Sequence, residues 1–108
     1  SLPEYYNLEE LRKMIFKAET EDKTIIDFIK EHKLNVDSYI KGLKANEWVP
    51  VLHMAARSSR RQALVKFLIK SGANLNLLPD AEPELVEMIW KRLSTTTRKA
   101  SAVSRPID

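Results

Sequence analysis

The sequence predicts an all-α fold in which about five helices, with an additional short helical turn, stack as antiparallel pairs. The 108 residues are 44% hydrophobic and 31% charged and include only two glycines, which favours helices over a β-sandwich. Apolar side chains recur at the three-to-four-residue spacing of helices. Residues 25–37 also resemble residues 64–76, which begin 39 positions later. A repeat of this length indicates stacked units that share a core.

The first two helices follow from apolar spacing and helix-start chemistry. We expect the first to begin at Asn7, whose side chain can cap a free amide, with Glu10 three residues on as in a capping box. Leu11 and Ile15 then fall on one face of this helix. The second helix should run from about 22 to 32.

Residues 38–50 show no clear helical period. Tyr39, Ile40 and Leu43 predict a short helical turn that ends near Gly42. We expect a loop over 46–50 that leads into the next helix.

Three more helices complete the prediction. One should span about 51–58 and another about 61–71, with Gly72 as a left-handed cap. The last should open near Pro83, because proline is allowed in a first turn, and end at about Leu93.

These elements form one predicted helical domain, residues 1–93, with units at about 7–37, 46–78 and 80–93. The predicted core contains Leu11, Ile15, Ile25, Phe28, Ile29, Leu52, Ala55, Leu64, Phe67, Leu68, Leu85 and Ile89. Residues 94–108 are low in apolar content and positive, which predicts a basic flexible tail.

The central unit contains three linked motifs: Leu-His-Met-Ala-Ala at 52–56, paired aliphatic residues in a second helix at 65–69, and Gly-Ala-Asn-Leu-Asn at 72–76. In these motifs the unit resembles an ankyrin repeat. The opening departs from the family, because Val51 stands where proline is usual. Lys33 replaces the glycine in the first unit. The resemblance implies paired helices with a projecting finger loop, and recognition of another protein without chemistry.

In that family the fingers and first helices line the binding face. Carried over by position, the implied partner-binding residues are Asn46, Glu47, Trp48, Met54, Arg57, Leu77, Leu78 and Asp80. Trp48 has two interpretations: it covers the 38–50 segment, or it anchors a partner, because aromatic residues dominate interface energetics. Few units are present, so we expect the open ends of the stack to be covered either by self-association or by further repeats.

The residues give no sign of catalysis. The chain has no cysteine, no metal-ligand spacing and no nucleophile motif, so we expect no enzyme activity, metal or cofactor. His53 stands at the histidine position of the family, which implies that its hydrogen bonds order the preceding loop. The basic run 57–61 predicts a solvated turn or, alternatively, a site for phosphate or an acidic partner.

The tail supports an alternative function. Residues 91–108 sum to +4 and residues 1–90 to −1, so the tail could bind nucleic acid, acidic lipid or a cytoskeletal polymer. Ser101 follows Arg98-Lys99 and is a candidate phosphorylation site. With no signal peptide and no apolar run of bilayer length, a cytoplasmic or nuclear location is expected.

Overall fold

The computed structural model describes residues 2–44, 46–80 and 82–100, and the side chains of residues 4–44, 46–80 and 82–95. In chain order the elements are α1 (Leu2–Phe16), α2 (Asp22–Glu31), β1 (Tyr39–Lys41), β2 (Trp48–Pro50), α3 (Val51–Ala56), a 3-10 turn (Ser59–Arg61), α4 (Gln62–Lys70) and α5 (Pro83–Ala100). The protein is therefore mainly helical, as predicted, but it also contains a small antiparallel sheet.

The β-hairpin corrects the predicted helical turn and loop of residues 38–50. Strands β1 and β2 pair in antiparallel register, with Ile40 opposite Val49 and Lys41 opposite Trp48. Ile40 and Val49 are buried, whereas Tyr39 and Lys41 are exposed. This alternation has the two-residue period of a half-buried strand, and three residues are too few for it to stand out in the sequence.

The ends of the first and last helices also differ from the prediction. Helix α1 begins at Leu2, so Asn7 lies inside it rather than at its start. Helix α5 continues to Ala100 instead of ending at Leu93. No glycine or proline interrupts residues 94–100, and the hydroxyl of Thr95 donates to the carbonyl of Lys91 at 3.2 Å. Residues 94–100 are thus helical; the rest of the predicted tail, including Ser101, lies outside the described residues.

The 39-residue repeat is reproduced at the ends of α2 and α4. The amide of Leu34 donates to the carbonyl of Ile29 at 3.1 Å, and Ala73 donates to Leu68 at 3.0 Å. The residue before each donor has a positive φ, 50° at Lys33 and 93° at Gly72. These are the bonds of a left-handed helix cap, which confirms the predicted role of Gly72.

The turns that follow the two caps match as well. The amide of Asp37 donates to the side-chain oxygen of Asn35 at 2.9 Å, and Asn76 donates to Asn74 at 2.9 Å. Both asparagines therefore form the same local turn, 39 positions apart.

One hydrophobic core joins the helices to the hairpin. Nine of the twelve predicted core residues are buried, and Phe28, Phe67 and Leu85 are partly buried against the core. The core also includes residues that were not predicted: Ile40, Val49, Val51, Met54, Ala56, Val65, Trp90 and Leu93. No helix among the described residues is both long and apolar enough to cross a membrane.

Arg61 fastens α1 to the start of α4. Its buried guanidinium donates to the carbonyls of Met14 and Ile15 at 3.1 and 3.0 Å, and to those of Lys17 and Thr20 at 2.8 and 2.5 Å. The last carbonyls of a helix have no partner within it, so Arg61 satisfies groups that would otherwise be unbonded.

Candidate protein-interaction surface on the hairpin

The outer face of the hairpin extends onto residues 78–80. Trp48 and Asp80 form an antiparallel bridge in which each amide donates to the other carbonyl, at 3.3 and 2.8 Å. Because Lys41 is paired with Trp48 on the other side, Lys41, Trp48 and Asp80 form a row across the sheet. Directly paired residues share a face, so this row lies opposite the buried side of the hairpin.

A second row lies beside the first. Tyr39 is paired with Pro50, and the register of the bridge, continued by two residues, sets Pro50 beside Leu78. Proline has no amide to donate to the carbonyl of Leu78. The hydroxyl of Tyr39 donates to that carbonyl instead, at 2.8 Å, so the tyrosine ring crosses over Pro50.

These six residues are the hairpin surface: Tyr39, Lys41, Trp48, Pro50, Leu78 and Asp80. Three large apolar side chains in it stay accessible, with 39% of Tyr39, 44% of Trp48 and 63% of Leu78 exposed. Pro50 is buried beneath them, and Lys41 and Asp80 supply opposite charges on either side of Trp48. The surface thus has an aromatic centre between charged residues, which is the composition of protein interfaces.

The eight residues implied as partner-binding differ in how exposed they are in the structure. Trp48, Leu78 and Asp80 lie on the hairpin surface, and Asn46 is exposed at the hairpin tip. Leu77 is half-buried.

The other three residues implied as contacts are mostly enclosed. Only 1% of Met54 is exposed, because α3 is packed against α4, α5 and the hairpin, so that all six of its residues are buried. This helix therefore cannot offer Met54 to a partner. Glu47 is 5% exposed and the side chain of Arg57 is 9% exposed, because they bind each other.

The Glu47–Arg57 pair holds the loop between the strands. Oε1 of Glu47 accepts from Nη2 of Arg57 and, at 3.0 Å, from the amide of Leu43. Burial alone would raise the pKa of Glu47, but these hydrogen bonds and the charge of Arg57 together hold the pKa below its ordinary value. The pair is thus an internal support of the hairpin and not a free binding group.

His53 is buried in the core without the hydrogen bonds that the resemblance implied. Its ring is fully buried 5.8 Å from that of Trp90, edge to face, and neither ring nitrogen has a hydrogen-bond partner among the described residues. Burial and the nearby Arg57 charge lower the pKa of His53 to about 4. Sequence reasoning missed this environment because it depends on Trp90, which is 37 positions away.

The basic run 57–61 is solvated only in part, since Ser59 and Arg60 are exposed whereas Arg61 is buried. Arg57 binds Glu47 and Arg61 binds the end of α1, which leaves Arg60 as the exposed arginine of the run. The partners of both arginines lie far from them in the sequence, so the run 57–61 by itself does not indicate which of its arginines are paired.

The outward edge of residues 77–80 offers little for strand pairing. Leu77 already donates its amide to Asn74, at 3.4 Å, and Pro79 has no amide. Such an edge is a poor template for strand pairing with a second copy of the chain.

Comparisons of this chain with known protein families, curated proteins and solved structures found no match. Among the described residues, no three histidine or acidic side chains are grouped so as to hold a metal ion.

Proposed function

We propose that this protein is a non-catalytic interaction module, built as a short ankyrin-like stack, that binds a partner protein or peptide on the hairpin surface. The observation that carries this proposal is the exposure of Trp48, Tyr39 and Leu78 side by side on a face held by backbone pairing. Large aromatic side chains on a rigid support lose little entropy on binding, which makes them effective anchors.

The matched hydrogen bonds at the ends of α2 and α4 support the stacked arrangement. In a stack of repeats, the hairpins of successive units lie side by side. Here Lys41 and Asp80, which are 39 residues apart, lie on either side of Trp48. The binding face would then be a continuous sheet-like surface rather than a deep pocket.

Trp48→Ala provides the test. The purified protein and this variant are immobilised, and partners captured from a cell extract are quantified by mass spectrometry and then measured individually by titration. A true partner should lose at least about 2 kcal/mol of binding energy, roughly 30-fold in affinity, when the central aromatic residue is removed.

Tyr6→Ala is the matched control, because Tyr6 is a 65% exposed aromatic residue on α1, outside the hairpin surface. The control should retain the partner, and circular dichroism should show that both variants are folded. Equal capture by the wild type and Trp48→Ala would refute the proposal.

A further inference from the structure

A separate cavity lies between the α3–α4 turn and the second half of α5. It has a volume of about 370 Å³, and the buried side chains of Ala56 and Val65 contribute an apolar part of its lining. It shares no residue with the hairpin surface.

The rest of the lining is rich in hydrogen-bond donors. Ser58, Ser59 and Thr95 supply hydroxyl groups, and Gln62 supplies an amide. Lys91 and Arg92 supply two positive charges, and no acidic residue lines the cavity among the described residues. The cavity therefore favours a ligand with negative charge and several acceptor oxygens.

Arg92 is held in place by the end of α3. Its Nη1 donates to the carbonyl of Ala56 at 3.2 Å and also to the carbonyl of Arg57. Within the described part of the chain, the Nε and Nη2 protons of Arg92 have no partner. Lys91 likewise has no ion-pair partner there. A fixed guanidinium with unused donors is prepared to bind an oxyanion without first breaking an internal bond.

We propose that this cavity binds the phosphate group of a phosphorylated serine or threonine in a partner polypeptide. Two cations and several neutral donors match a dianion with three acceptor oxygens better than they match a single carboxylate. The apolar lining from Ala56 and Val65 would contact a small aliphatic residue next to the phosphorylated one. The phosphate would accept hydrogen bonds from the serines of the run 57–61. Its positive partners would come from α5 and not from that run, because Arg57 and Arg61 are bound internally.

The test is an NMR titration of the full chain with the blocked tripeptide Ala-phosphoserine-Val. Saturable shifts are expected at the backbone amides of Ser58, Ser59, Gln62 and Thr95. The unphosphorylated peptide should cause none, and Ala-Glu-Val should bind at least about tenfold more weakly, because it has one charge fewer. Inorganic phosphate should compete, but weakly, because it cannot use the apolar lining.

Two charge-matched variants locate the site. Lys91→Gln should weaken binding of the phosphopeptide about tenfold, as expected for loss of one charge-assisted hydrogen bond. Lys13→Gln removes the same charge from the exposed side of α1 and should leave affinity unchanged.

Three results would overturn the proposal: shifts that do not saturate or that scatter over the surface, equal affinity in Lys91→Gln and the wild type, or equal binding of Ala-Glu-Val. The last result would assign the cavity to unmodified acidic peptides. Trp48→Ala should leave this titration unchanged, so the site is tested independently of the hairpin surface.

Discussion

Asp22 and Arg61 each lie three residues before one of the two repeated segments and bind each other, with Nη1 of Arg61 3.0 Å from Oδ1 of Asp22. The other carboxylate oxygen of Asp22 accepts from the amide of Leu64 at 3.1 Å, inside the first turn of α4. One carboxylate thus neutralises a buried cation and caps a helix, so the two helix pairs are joined by charge as well as by apolar packing.

Arg61→Met should destabilise the protein strongly. Methionine fills similar space but leaves Asp22 without its cation and the final carbonyls of α1 without donors. Breaking a buried pair from one side costs about 3–5 kcal/mol, measurable as a lower free energy of unfolding in urea. Arg60→Met, in the exposed neighbour, should change stability by less than about 0.5 kcal/mol. Similar losses in the two variants would contradict the anchoring role of Arg61.

His53 should make the protein sensitive to mild acid. Its pKa is lowered to about 4 in the fold, against 6.5 ordinarily, so the unfolded chain takes up a proton that the folded chain resists. Stability should be complete above about pH 6.5 and fall by about 3 kcal/mol as the pH drops towards 4. Denaturant midpoints measured across this range report the loss.

His53→Leu is the matched variant, because neither ring nitrogen makes a hydrogen bond that leucine would remove. It should be at least as stable as the wild type at pH 7.5 and lose much less stability down to pH 5. Glu47 also has a lowered pKa, but its contribution to stability is lost only as the pH falls below its ordinary value of 4.5, where the carboxylate takes up a proton. The effect of His53 is therefore measured separately, at higher pH. An unchanged slope between pH 6.5 and 5 in His53→Leu would show that another group is responsible.

Gly42 leaves room for Glu47. A Cβ atom at position 42 would lie 2.0 Å from Oε1 of Glu47, so alanine there must push the carboxylate away from Arg57. Gly42→Ala should cost about 1–3 kcal/mol of unfolding free energy.

A double-mutant cycle with Glu47→Ala checks this cause. Once the Glu47 side chain is gone, adding Gly42→Ala should cost less than about 0.5 kcal/mol, because the clash no longer exists. Additive losses would mean that the backbone at residue 42, and not the Glu47 carboxylate, requires glycine.

The two helix caps allow a reciprocal exchange. Lys33 has a φ of 50°, a conformation that strains a residue with a Cβ, so Lys33→Gly should stabilise the protein by about 0.5–1 kcal/mol. Gly72→Lys should do the opposite, by about 1–2 kcal/mol, although nothing lies within 4 Å of its added Cβ. The melting temperatures of both variants test this. If Lys33→Gly does not stabilise the protein and Gly72→Lys does not destabilise it, backbone strain at these caps is excluded as the cause.

Local patterns in the sequence determined most of the helices. The apolar spacing in 22–31 and 62–70 and the glycine at 72 act within one or two turns, so α2, α4 and the left-handed cap were predictable. The repeat of Asn35 at Asn74 was also visible, because an asparagine that bonds two residues ahead needs no distant partner.

Tertiary structure alone decided the hairpin and the fate of the charged residues. Strand β1 forms because Ile40 pairs with Val49 and packs into the core. The hydroxyl of Tyr39 donates to the carbonyl of Leu78 because Pro50 has no amide to do so. Arg57, Arg61 and His53 are buried by partners 10 to 47 positions away. A three-residue strand and a buried charge are both stabilised by contacts across the chain, and such contacts leave no periodic trace in the sequence.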